Sequence, residues 1–210
     1  MQSLLDSIDV PSPPPLDPGP ALSRLFLESP WWVVGVLAAL AVVAYATLNR
    51  RGRFQAGIRT ALALLAAAGG IGLLATMVET PRERMRAAGQ ALVRSVAEAD
   101  SASLGALLAP DARLVYFASP EGIGREAILD LVDRRFRNDY RVREWSIVDS
   151  QATVDGPNVG RVQVKVRVVG VDWNVPHFSW WRIDYRLLDD DRVEVRGIAP
   201  IVIAGVRNAL

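Results

Sequence analysis

The sequence predicts an α+β domain, helices packed against a curved antiparallel sheet, carried behind two transmembrane α-helices. Three observations predict it. Two uncharged apolar stretches lie at residues 31–48 and 60–78. Helical periodicity follows at residues 81–99 and 128–136, and two-residue alternation marks residues 159–169, 177–187 and 192–196. Three segments result: a proline-rich stretch at 1–30, a membrane hairpin at 31–78 and an α+β domain at 79–210.

The stretches read WWVVGVLAALAVVAYATL and TALALLAAAGGIGLLATMV. About 18 or more such residues span a bilayer core as a helix. A buried helix of a soluble protein would normally show a polar face, and neither stretch has one. Trp31 and Trp32 suit the headgroup region, and Arg50, Arg51 and Arg53 close the first span. That span begins too late for a cleaved signal peptide and has no basic region before it. Residues 49–59 connect the spans, which predicts antiparallel neighbours. Ala66, Ala67, Ala68, Gly69, Gly70 and Gly72 lie within the second span, either as a close helix contact or as filler.

Arginine placement predicts orientation. The connection carries Arg50, Arg51, Arg53 and Arg59, which favours the inner side and puts both chain ends outside. Arg82, Arg84, Arg86 and Arg94 after the second span oppose that bias. The expected location is a bacterial cytoplasmic membrane, with the domain on the periplasmic side. In residues 1–30, PSPPPLDPGP predicts an extended run. Residues 21–28, ALSRLFLE, could lie as a short interfacial helix.

Composition removes several chemistries. Cysteine is absent and His177 is the sole histidine, so disulfides, thiolate nucleophiles and Cys- or His-paired metal sites are not expected. No cofactor is expected. The net charge is +1, and Lys165 is the only lysine. The arginine excess fits either bidentate anion pairing or codon usage in a GC-rich genome.

In the C-terminal domain, Thr80-Pro81-Arg82-Glu83 reads as a helix start, with a cap, a first-turn proline and a reciprocal glutamate. Met85, Leu92, Val93 and Val96 continue it at helical spacing. Asp100-Ser101 breaks it and opens a short helix ended by Pro110. Residues 112–117 predict a strand, Gly122 and Gly124 a loop, and Ile128, Leu131, Val132 and Phe136 a third helix. Residues 142–154, 159–169 and 177–187 predict strands, with a turn at 155–158 and a final strand around Val193 and Val195. Val162, Val164, Val166, Val168, Trp181, Ile183, Tyr185 and Leu187 share a buried face.

The long helix of 81–99, the phrase LGALLAPDARLVYF at 104–117 and GREAIL at 124–129 carry a resemblance. Residues 81–210 resemble the nuclear transport factor 2-like superfamily, which includes SnoaL-like and ketosteroid-isomerase-like proteins. The resemblance implies a cone, a curved sheet wrapped around the first long helix. In the family's enzymes it also implies an acid or base on the concave face. No carboxylate shares the predicted buried face here.

Tyr116, Tyr140, Trp145, Trp173, Trp181 and Tyr185 are therefore the candidate ligand-pocket residues, with core filling as the plainer alternative. His177, Asp172 and Tyr116 are the candidate catalytic residues; a histidine bonded to backbone is the plainer reading of His177. Arg161, Lys165, Arg167, Arg182, Arg186, Arg192 and Arg196 form a basic outward face, either cross-strand ion pairs or a platform for anionic lipid or an acidic partner. The expected function is non-catalytic binding or scaffolding at the membrane. Expected partners are the lipid bilayer, and a protein partner, an apolar ligand or a second copy, but no nucleic acid. The alternative is a SnoaL-like lyase, isomerase or hydrolase.

Overall fold

The computed structural model describes residues 12–16, 30–77, 79–116, 119–172, 175–203 and 206–207. The chain divides into two compact units: Pro18–Thr80, and Pro81–Leu210 together with Met1–Asp17. The expected helix at 21–28, Phe117 and Trp173 lie outside the described residues.

The first unit is a pair of helices, α1 (Pro30–Arg50) and α2 (Phe54–Met77). Both are long and apolar enough to cross a membrane. The expected eleven-residue connection shrinks to a turn at Arg51–Arg53, with Gly52 at φ 73°. Helix α2 extends back to Phe54 because nothing in FQAGIR breaks a helix and Gly52 supplies the left-handed stop. Near the turn the Tyr45 and Phe54 rings meet edge to face, 6.2 Å apart. Ala41 and Ala68 are the buried alanines of the pair. A β-carbon at Gly69 or Gly70 would meet nothing within 4 Å, so Ala68, not the double glycine, faces α1. Thr47 sits in the last turn of α1, and its hydroxyl donates to Val43 O at 2.9 Å, which satisfies it without water.

The second unit begins with α3 (Pro81–Ala97) and α4 (Ser101–Leu107). Asp100 caps α4, accepting from Ser103 N at 3.0 Å. The Ser103 hydrogen bonds hold its carboxyl below the usual range. Strands β1 (Leu108–Tyr116) and β2 (Ser119–Gly124) follow, then α5 (Arg125–Leu131) and a π-helical segment (Val132–Asp139). The sheet is completed by β3 (Val142–Gly156), β4 (Val159–Gly170), β5 (His177–Leu187), β6 (Val193–Ile203) and β7 (Val206–Arg207).

The strand order is β2-β1-β6-β5-β4-β3, with β7 paired on β6. Strand β1 runs parallel to β6 and the other pairings are antiparallel. So the sheet is mixed, not wholly antiparallel. Strand β1 also starts at Leu108, earlier than residue 112, because Leu108 pairs with Val195 despite Pro110. The expected loop at Gly122 and Gly124 is instead the strand β2, hairpin-paired to β1. Its Ser-Pro-Glu-Gly-Ile-Gly composition has little strand propensity, so pairing decides it.

The alternation in β4 and β5 has the expected sense. Val162, Val164, Val166, Ile183 and Tyr185 face one continuous core with Met85, Ala88 and Leu92 of α3. Irregular registers in β3, β5 and β6 bend the sheet around that helix.

Candidate functional site

Two glycines bring α3 onto the sheet. A β-carbon at Gly89 would lie 3.2 Å from the Tyr185 hydroxyl, and one at Gly160 would collide with the Met85 thioether. This end of the cone is filled. Tyr185 is 1% exposed, its hydroxyl has no hydrogen-bond partner among the described residues, and burial pushes its pKa up.

The other end is hollow. A cavity of about 230 Å³ lies between α3, the α5–π segment and the inner face of the sheet. Leu92, Val93 and Val96 border it from α3 and Phe136 from the π segment. Trp145, Val164, Val166, Val168, Trp181, Ile183 and Ile198 border it from the sheet. Ser179 brings the one hydroxyl, and Trp181 Nε1 donates to its Oγ at 2.8 Å. Ser179 and Trp181 therefore satisfy each other. No titratable side chain is part of the lining.

The π segment stands at the rim. Its wide turn directs Val132 and Phe136 inward, while Arg134, Arg135 and Arg137 pair outward with Asp130, Asp139 and Asp133. Short π-helices of this kind recur at functional sites. Tyr140, 51% exposed, sets its ring 6.1 Å from that of Phe136.

Among the sequence candidates, Trp145 and Trp181 border the cavity, and Tyr140 touches it through Phe136. Tyr185 is core, and Tyr116 sits half-exposed at the end of β1, away from the lining. His177 is exposed at the start of β5, paired with Val168 across the strands. Asp172 is exposed, with its carboxylate 4.0 Å from Arg141 Nη2. Neither reaches the cavity wall. Ser179 and Phe136 are its notable additions. Ser179 was legible in principle, since it is two residues before Trp181 in the alternation. Among the described residues no cluster of His, Cys, Asp or Glu could hold a metal ion.

The outward face is a lattice of opposite charges. Arg161 lies 3.4 Å from both Asp155 and Asp184, and Arg182 lies 3.3 Å from Asp184. Arg186 and Arg196 share Asp111, at 2.8 and 3.3 Å, and Arg186 also reaches Glu194 at 4.0 Å. Arg167 approaches Glu144 at 3.6 Å, Arg192 approaches Asp190 at 2.6 Å, and Lys165 stands 5.6 Å over the Phe178 ring. Partial burial raises the Asp111 pKa, but the Arg186 hydrogen bond and the charges of Arg186 and Arg196 outweigh it and leave the pKa lowered. A second apolar cluster, Trp180 and Val202 with Phe178 and Ile201, belongs to the same face.

Among solved structures, an NTF2-like protein from Cytophaga hutchinsonii superposes over 60% of this chain and 100% of its own. The TM-score is 0.50 and the identity 15%. The C-terminal domain has the nuclear transport factor 2-like cone fold. An NTF2-like protein of unknown function in nutrient uptake from Rhodospirillum rubrum overlaps the cone domain at 16% identity and a TM-score of 0.47, covering 57% of this chain and 98% of its own. A cystatin-like domain of unknown function from Nostoc punctiforme does so at 15% and 0.47, covering 63% and 81%. No family model matches the sequence. No curated protein matches it either. At these identities the likeness establishes the cone's fold alone.

Proposed function

We propose that this chain is a membrane-anchored, non-catalytic binding protein whose cone domain holds a small apolar ligand. One observation carries the reading: the cavity is walled almost wholly by apolar side chains, and its Ser179 hydroxyl is already engaged by Trp181. Acid–base catalysis needs a titratable group within hydrogen-bond reach of substrate. His177, Asp172 and Tyr116 are all outside the lining. At about 230 Å³ the space is below the roughly 300–1,000 Å³ of drug-sized sites, so the ligand is compact.

The anchor is α1 and α2. Only 6% of each apolar window is buried, so Leu40, Val42, Leu62, Leu73 and Leu74 face outward. Water would penalise so large an apolar exterior, and hydrocarbon removes the penalty. The arginines at the hairpin turn favour the cytoplasmic side, which supports a cone domain on the outer side.

The test is a titration of the full chain in nanodiscs with naphthalene, read by fluorescence of Trp145 and Trp181. Saturable quenching is expected, and it should vanish in Val166→Trp, whose indole fills the cavity. Equal quenching in a folded Val166→Trp protein would overturn the reading. Protease applied to intact cells should digest the cone domain; digestion only after inner-membrane rupture would reverse the orientation.

A further inference from the structure

The outer face of the sheet is more deeply buried than an uncovered face should be. In β3, consecutive residues Ala152 and Thr153 are 7% and 3% exposed, although β3 is an edge strand and its residues alternate between faces. Ala152 faces the core, so Thr153, paired with Arg161, faces outward. Gln163 and Trp180 share that outer face and are also buried. The helices of the cone domain pack on the other side.

That outer face also holds buried polar atoms without a hydrogen-bond partner among the described residues: Trp180 Nε1 and Gln163 Oε1 have none, and Arg161 Nε and Arg182 Nε have only ion pairs with Asp184, at 3.4 and 3.3 Å. Buried polar groups are nearly always paired, so a cover for this face should itself be polar.

Residues 1–17 have that chemistry. They contain Asp6, Asp9 and Asp17 and no basic residue. Pro11, Pro13, Pro14 and Pro15 lack an N–H, so that stretch offers the sheet acceptors without competing donors. The described part of this arm already reaches the sheet: Leu16 N donates to Gln151 Oε1 at 3.3 Å, and Pro13 is buried. Gln151 pairs across β3 and β4 with Gln163, and Gln163 pairs with Arg182. The contact therefore lies on the row that holds Gln163 and Arg182.

We propose that the acidic, proline-rich arm of residues 1–17 docks in cis on the outer face of the cone domain's sheet and covers its buried polar row. A Pro-rich cover on β3 also blunts an edge that would otherwise pair with another chain. The two spans bring the arm and the domain to the same side of the bilayer. The inference does not depend on a ligand in the cavity.

The chain has no cysteine, so paired substitutions report without background. Leu16→Cys with Gln151→Cys, in the full chain in nanodiscs, should be joined within one copy by a short bismaleimide. Leu16→Cys with Glu126→Cys, on α5, should not. Links found only between copies would overturn docking in cis, and so would two singly capped thiols. In a second measurement, deletion of residues 2–15 should speed hydrogen exchange about tenfold at 149–154 and 161–165 and leave α5 unchanged. Unchanged exchange at both strands would overturn the proposal.

Discussion

The Met85 thioether occupies the volume that a β-carbon at Gly160 would need, with Met85 Cε 2.7 Å from that point. Helix α3 and strand β4 are thereby locked at the filled end of the cone. Gly160→Ala should cost about 1–3 kcal/mol by overpacking. Met85→Ala alone should cost about 2–5 kcal/mol through the hole it leaves. Combined, the two changes should cost less than their sum, by about 0.5–3 kcal/mol. Urea unfolding followed by tryptophan fluorescence measures all three; strict additivity would mean that the contact is not shared.

Ser179→Ala should leave Trp181 Nε1 without its acceptor in an apolar wall. The expected loss is about 1–3 kcal/mol of stability, the cost of an orphaned buried donor. Ser179→Thr, which keeps the hydroxyl, should recover part of it. The same denaturation series reads both variants.

Asp111 holds Arg186 and Arg196 together across β1, β5 and β6. Its pKa is lowered in the folded chain. A lowered carboxylate contributes stability above its unfolded value of about 3.9, and that contribution fades as pH falls through the folded value. The stability gap between the native chain and Asp111→Asn should therefore be constant from about pH 7 to 5 and close below about pH 4. Denaturation midpoints across that range check the sign; a gap that widened in acid would contradict it.

Ala41 and Ala68 are buried in the α1–α2 pair, and Gly57 packs close to Leu48 and Tyr45. Ala68→Leu should separate the helices and lower resistance to SDS unfolding, while Gly69→Leu, with open space around it, should be tolerated at the hairpin contact. Helix proximity measured by paired spin labels distinguishes them. An equal effect from both would place the contact elsewhere.

Short-range patterns made much of this protein legible. Uncharged length identified α1 and α2, a capping phrase began α3, and two-residue alternation assigned the inner faces of β4 and β5. Alternation works there because burial is one-sided, so Val162 to Val168 must all face the same way.

The missed features depend on partners distant in sequence. Strand β2 exists because β1 offers hydrogen bonds to a glycine-containing segment, and β1 begins at Leu108 because Val195 lies alongside it. Nothing local distinguishes Tyr185 from Trp181, which share a face in β5. Tertiary packing separates them: α3 closes on Tyr185 through Gly89, while Trp181 borders the space farther along the cone.

By itself, then, the sequence determined which residues leave water and with what period, because hydrophobic burial is written into side-chain order. Tertiary structure decided where the helix and sheet meet tightly and where they part. It also decided that Arg161, Arg167, Arg182, Arg186, Arg192 and Arg196 each have a carboxylate as neighbour, and Lys165 an aromatic ring. Those outcomes depend on volumes and distances between residues far apart in the chain, and no local pattern encodes them.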